Sequence, residues 1–300
     1  MIAAPQVKTL RLPVLLAALT VCLAAPAFFV LLMPWLGWAL LAIGLAGAFL
    51  IERRRVASGR PAELKPARGS APRNNIEVVS REPSLVRDLS LIAIGLLIVS
   101  SVPLAAELDN LAMVRFTLAL GGAVVVPYLI SRFVYRDHAI TFPWRGGGRW
   151  GKLHWTWLIA VLVLGWLILP FYFITSGVYQ NWPVVDSSDL IARLFVGVGA
   201  VGIWDELFFI CTAFALLRRH LPHLTANMLQ MIVFVSFLWE LGYRAWGPVL
   251  TIPFALLQGY IFLRTRSLAY VVTVHLLFDA VVFAVLVHAH NPEMWHVFLV

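Results

Sequence analysis

Nine apolar runs, each of roughly 16–28 residues, recur along this chain and leave few ways for it to fold. Inside a bilayer no water pairs with backbone N–H and C=O groups. Such a run is therefore a helix, which satisfies them internally, or a strand of a closed barrel. Barrel strands are shorter and alternate in polarity, and these runs do neither. The fold class this predicts is all-α: a polytopic transmembrane helical bundle of about nine spans. A content of 61% hydrophobic and 13% charged residues over 300 positions excludes an ordinary soluble domain.

The first apolar tract, from Leu12 to Ile51, is too long for one crossing, and Pro34 beside Trp35 reads as the tip of a helical hairpin. Spans are predicted over 12–32 and 36–51, then 89–105, 112–134, 155–177, 190–217, 228–243, 248–263 and 268–288. The chain so divides into an N-terminal transmembrane hairpin (1–51), a cytoplasmic basic loop (52–88), transmembrane helices (89–189) and a C-terminal core (190–290). Rich in Arg, Pro, Ala and Ser, the loop is expected to be disordered and to touch the membrane surface. Lys8 and Arg11 precede an apolar run containing Ala25-Pro26-Ala27, as in a signal peptide. The run continues past Ala27, however, and reads as an uncleaved anchor. Cys22 and Cys211 both fall within spans and form neither a disulfide framework nor a zinc-ligand pattern.

Basic residues orient the bundle, because Lys and Arg accumulate in cytoplasmic loops. With the N-terminus cytoplasmic, 20 of the 23 fall on that side: Lys8 and Arg11, nine from Arg53 to Arg87, five from Arg132 to Lys152, the pair Arg218/Arg219, and Arg264 with Arg266. Glu107, Asp109, Asp186 and Asp189 occupy the other side. The expected localisation is a cell membrane of the bacterial inner-membrane kind, multi-pass, with the C-terminus outside. The net charge of +8 lies beside spans, where anionic headgroups account for it, so membrane lipid is the expected partner and nucleic acid is not. Trp35, Trp38, Trp150, Trp155 and Trp157 read as interfacial anchors.

Five ionisable groups lie inside the last apolar runs: Asp205, Glu206, Glu240, His275 and Asp279. An ionised carboxylate at helix centre costs roughly 2.5–3.5 kcal/mol, so a cluster of them marks a site. At about 1.5 Å rise per residue, Asp205, Glu240 and Asp279 all fall roughly 16–18 Å into the membrane. His275 and Asp279, four apart, share one helical face, whereas Asp205 and Glu206 diverge by about 100° and cannot meet one target equally. A carboxylate in an apolar cavity suits a general base that activates water, with the imidazole serving a developing oxyanion. The same groups could coordinate a divalent cation or relay protons in a transporter. His288, His290 and His296 fall at the outer boundary or tail and are not expected to bind metal.

The stretch Trp204-Asp-Glu-Leu-Phe-Phe-Ile-Cys211, then Leu257-Gln-Gly-Tyr-Ile-Phe-Leu-Arg-Thr-Arg-Ser-Leu268 leading to His275-Leu-Leu-Phe-Asp279, resembles the CAAX protease and bacteriocin-processing (CPBP) family of intramembrane endopeptidases. That family is marked by E-E-x-x-x-R, F-x-x-x-H and H-x-x-x-N/D on successive membrane helices. His275 and Asp279 match the third motif. Asp205 replaces the leading Glu of the first, Glu206 retains its second, and Ile210 stands at its Arg. In the second motif Glu240 takes the place of His, and Ser236 that of Phe. The resemblance covers roughly 190–290 and implies an endopeptidase acting on a membrane-anchored or membrane-proximal peptide. Water would be activated by Asp205 or Glu206, aided by His275 and Asp279, with no cofactor implied.

Plainer readings stand beside these. His275 with Asp279 would serve as interhelical hydrogen-bond glue, one carboxylate of Asp205/Glu206 as a cap on a neighbour, and Glu240 as an i, i+4 ion pair with Arg244. Arg244 would alternatively supply the charge missing at Ile210. A non-catalytic relative that binds a membrane partner remains open. A proton- or cation-coupled transporter also does, although no two-half repeat of interrupted helices supports it.

Overall fold

The computed structural model describes residues 9–58, 83–146, 148–294 and 298, so most of the basic loop, with its expected disorder, and His296 lie outside the described residues. Within them, nine long helices and no strand make an all-α bundle. In chain order they are α1 (Leu12–Phe29), α2 (Pro34–Ala57), α3 (Leu85–Val99), α4 (Asn110–Val134), α5 (Lys152–Thr175), α6 (Ser188–Leu217), α7 (His223–Leu241), α8 (Gly247–Thr265) and α9 (Leu268–His290). All but α3 are long and apolar enough to cross a membrane. The chain is a multi-pass membrane protein.

Local chemistry sets the helix ends. Asp109 Oδ1 accepts from the N–H groups of Leu111 and Ala112, at 2.9 and 3.0 Å, and starts α4. Ser267 Oγ does the same for Tyr270 at the start of α9. Gly242, at φ 133°, turns the chain out of α7. Pro34 is not at the tip of the first hairpin but opens α2, where a missing N–H costs nothing. Beyond the expected boundary at 51, α2 continues through Ala57. Its neighbour α3 begins at Leu85 and stops at Val99, short of Pro103, so the segment 100–109 is irregular backbone. Trp35, Trp38 and Trp155 face outward, but Trp150 packs edge-on against Tyr270.

Hydrogen bonds sort the loops onto two ends of the bundle. At one end Glu52 accepts from Val86 N, Arg219 Nη1 lies 2.7 Å from Asp88 Oδ1 and 3.4 Å from Asp137 Oδ2, and Leu268 N donates to Pro143 O. This end carries the Arg and Lys of 132–152, 218–219 and 264–266. At the other end Arg193 binds Leu108 O and Asn110 Oδ1, Asn181 binds Gly242 O, and Asn291 binds Val185 O. Glu107, Asp109, Asp186 and Asp189 lie here. They are termed the basic and the acidic end below.

Helix α6 packs against α7, α8 and α9, α8 packs against both α7 and α9, α5 covers α9, and the α1–α2 hairpin packs on α3 and α7. The helical path of α6 widens into π-helical turns from Glu206 to Phe214, immediately after Asp205. Such turns concentrate at functional sites. Here the widened turn is where α6 meets α7, α8 and α9.

Candidate active site

Two helices bring four ionisable side chains together. His275 and Asp279 come from α9, Asp205 and Glu206 from α6, and none is more than 7% exposed. His275 Nδ1 lies 2.8 Å from Glu206 Oε1, and its Nε2 lies 3.5 Å from Asp205 Oδ2 and 3.8 Å from Asp279 Oδ1. The roughly 100° between Asp205 and Glu206 predicts that they meet a target unequally, and they do: Asp205 lines the adjoining cavity and Glu206 does not. Both reach the same imidazole, because its two nitrogens open toward different sides and each carboxylate takes one.

The side chain that holds Glu206 in place carries no charge and was not visible in the pattern of charges. Gln258 of α8 donates from Nε2 to Glu206 Oε1 at 2.7 Å and to Val271 O at 3.2 Å. Oε1 thus takes the Gln258 N–H on one side and meets Nδ1 of His275 on the other, an arrangement completed by a proton on Nδ1, with Nε2 turned toward Asp205 and Asp279. Gly202 permits the approach of α6 to α9: a Cβ there would collide with Asp279 Oδ2 and stand 3.4 Å from the His275 ring. Aromatic rings fix the rest. Phe254 meets His275 edge-on with centroids 5.0 Å apart, and Trp204 stacks on Phe208 while its Nε1 donates to Leu120 O of α4 at 2.6 Å.

A cavity of about 340 Å³ ends on this cluster. Asp205, His275 and Asp279 line it; Glu206 does not. Asp205 Oδ1 and Asp279 Oδ2 are buried and take no hydrogen bond from the protein. On the basic side the site is sealed by Glu206, Phe209, Gln230 and Gln258, none more than 3% exposed. Among the described residues, no group of three or more His, Cys, Asp or Glu side chains is disposed to hold a metal ion.

Glu240, expected at the same depth, does not join the cluster. It is the next-to-last residue of α7, whose start at His223 places it higher than the expected boundary implied. Its Oε1 accepts from Leu104 N at 3.3 Å, satisfying a backbone donor in the irregular segment 100–109. The expected one-turn ion pair with Arg244 does not form as a helical contact, because α7 ends at Leu241 and Gly242 redirects the chain, although the Arg244 charge still acts on Glu240. Arg244 lies at the acidic end, whereas Ile210 is five residues from Asp205 toward the basic end, so Arg244 does not stand in for the missing charge. The α7 residues that line the cavity are Phe234, Leu238 and Leu241. Phe234-x-x-x-Leu238 has the spacing of F-x-x-x-H two residues earlier than expected, with Leu in the His position.

A membrane-embedded helical bundle with an acid–imidazole cluster at the end of an apolar cavity is the class that fold and site define. Residues 187–281 match the family model for Rce1-like proteins, described as type II CAAX prenyl endopeptidase Rce1-like. This shows the expected resemblance over the segment that holds the whole cluster, and the matched family is one of peptidases. No curated protein and no solved structure matches the chain.

Proposed function

We propose that this protein is an intramembrane endopeptidase of the CPBP/CAAX-protease type that hydrolyses a membrane-proximal peptide, and that its N-terminus is cytoplasmic. The observation that carries this reading is the His275 ring held by Glu206 on one nitrogen and flanked by Asp205 and Asp279 on the other, at the end of an apolar cavity. Asp205 is the general base: it lines the cavity, its Oδ1 has no hydrogen-bond partner in the protein, and it takes a proton from the attacking water. The hydroxide adds to the scissile carbonyl, and His275 Nε2 carries a proton to the leaving amine as the C–N bond breaks. Glu206, outside the cavity, is a positioning residue that fixes the ring and stabilises the imidazolium during transfer. Asp279 flanks Nε2 at 3.8 Å, lines the cavity, and stabilises the charge that His275 acquires during transfer.

Leu238 in the place of the motif's histidine favours a second reading, a non-catalytic relative that binds a membrane-anchored partner. One experiment separates the two. Detergent-purified wild type and Asp205→Asn are incubated with a library of membrane-inserted peptides and the products read by mass spectrometry. Cleavage by wild type alone supports the peptidase. Binding of a peptide by both proteins with cleavage by neither supports the second reading.

A further inference from the structure

Three residues on the cavity wall carry hydroxyls: Thr117, Tyr243 and Thr251. Thr117 of α4 donates to Met113 O, the carbonyl four residues back in its own helix, as Thr20, Thr265 and Thr273 do in theirs. Thr251 departs from this habit. Gly247 O lies four residues back in α8, yet the Thr251 hydroxyl, like that of Tyr243, makes no hydrogen bond among the described residues. Both residues are buried in the bundle and line the cavity.

Their positions set both beside the cluster. Thr251, Phe254 and Gln258 recur at helical spacing on one face of α8. Gln258 holds Glu206, and Phe254 meets the His275 ring with centroids 5.0 Å apart. Helices α8 and α9 run in opposite directions. Thr251 lies three residues from Phe254 toward the acidic end, and Asp279 lies four from His275 in the same direction, so the two stand within about 1.5 Å of one level. Tyr243 follows the turn at Gly242, where Trp182 and Phe173 hold its ring edge-on with centroids 5.2 and 5.6 Å away. Its hydroxyl lies in the field of Asp279 and Asp205.

Hydrolysis makes a demand that these two groups meet. When hydroxide adds to a peptide carbonyl, the π pair moves onto oxygen, and here that oxyanion forms beside Asp205 and Asp279, which as carboxylates only accept. Leu238 brings no donor to the same wall. An O–H held ready in a site shielded from water is worth most at such a developing charge. We propose that Thr251 and Tyr243 donate their hydroxyl hydrogens to the oxygen of the scissile carbonyl and hold the oxyanion that forms on it. This deepens the peptidase reading and rests on it. No proton leaves either hydroxyl. As the C–N bond breaks, the pair on oxygen re-forms the C=O, and the proton that Asp205 took from water reaches the amine by way of His275 Nε2.

Thr251→Val, Thr251→Ser and Tyr243→Phe are compared with wild type in detergent, on a membrane-inserted peptide that wild type cleaves, with melting temperatures read alongside. Thr251→Val keeps the shape of the side chain and loses the hydroxyl. It and Tyr243→Phe are each expected to lower kcat at least about tenfold and to change KM less than about threefold. Thr251→Ser is expected to recover most of the loss, which a packing role would not give, since Val fills the space of Thr better than Ser does. A phosphinate in place of the scissile amide is a stable tetrahedral anion, and both hydroxyl-free variants are expected to bind it at least about tenfold more weakly. Should Thr251→Val fail to fold, Tyr243→Phe, which trims a single oxygen, carries the test. Both variants at wild-type kcat, or Thr251→Ser as impaired as Thr251→Val, would overturn the proposal and leave the peptidase reading in place. Wild type that cleaves no peptide of the library overturns the peptidase reading, and the Kd of a peptide it binds then decides the rest. Binding at least about fivefold weaker in both variants keeps the hydroxyls as ligands of a peptide carbonyl. An unchanged Kd, or no binding by wild type, overturns them as well.

Discussion

Gln258 and Glu206 are joined by a 2.7 Å hydrogen bond between two buried side chains of different helices, and the oxygen that accepts it is the one that also holds His275. A single atom, Oε1, therefore carries both the anchorage of the imidazole and the link between α8 and α6.

Removing that link is expected to loosen the ring without unfolding the bundle. Gln258→Ala should lower kcat about 10–100-fold, on the scale set by an angstrom of misplacement, and change KM little. A melting temperature in detergent within a few degrees of wild type, measured alongside kinetics on a cleaved peptide, completes the check. An equal loss in kcat and in stability would make Gln258 a packing residue.

Asp205→Asn should abolish cleavage, since it removes the only first-motif carboxylate that lines the cavity. Glu206→Gln keeps an oxygen for Nδ1 and should retain more activity than Asp205→Asn by about tenfold or greater. Single-turnover rates compare the two, and the reverse order would make Glu206 the base.

Leu238→His restores the residue type that the second motif carries at this spacing. The added imidazole would face the cavity within the same wall as Phe234, and activity is expected to rise severalfold over wild type. The measurement is kcat/KM on the same peptide. Glu240→His, two residues on, should give no such gain, because that side chain serves Leu104 N instead.

Gly202→Ala forces a methyl group into Asp279 Oδ2. Overpacking of this kind costs about 1–3 kcal/mol, and here the strain falls on the site itself. A lower melting temperature together with loss of cleavage is expected, and a fully active, equally stable variant would show that α6 and α9 are further apart than described.

At the basic end, Asp88 is fully buried against Arg219 and His220, at 2.7 and 2.6 Å. Asp88→Ala removes the buried carboxylate that Arg219 and His220 share, leaves Arg219 its longer 3.4 Å contact with Asp137, and should destabilise the protein by about 3–5 kcal/mol. Urea or thermal unfolding in a fixed detergent reads this, with the site chemistry otherwise intact.

Much of this architecture was legible because hydrophobic length is a strong signal: the runs at 112–134, 190–217 and 268–288 fall almost on α4, α6 and α9. Convergence of His275 with the Asp205–Glu206 pair was legible for the same reason that makes ionised groups costly in lipid. What the pattern of charges missed was neutral or negative in kind. Gln258 and Gly202 carry no charge to count, although a buried Gln in an apolar span is itself a signal that was there to use. Glu240 stands higher than its place in the apolar run implies because α7 starts at His223, ahead of the run that begins at Met228. Its carboxylate meets a backbone need of segment 100–109 that no local pattern announces. The two-residue register of Phe234 and Leu238 follows from which face of α7 turns toward the cavity, and that is a property of the assembled bundle.

The π-helical stretch of α6 makes residue count a determinant of chemistry. Its hydrogen bonds span five residues where an α-helix spans four, so the segment from Glu206 to Phe214 holds more chain per turn than its neighbours. Shortening it by one residue would let an ordinary α-helix form, with every remaining side chain unchanged in identity. Yet Arg219 is pinned to Asp88 beyond one end of that stretch. The change in rise and turn over the shortened stretch would therefore be taken up at its other end, where it would displace Asp205 and Glu206 relative to His275. A single deletion there should erase the site that most single substitutions along the same turn would leave standing.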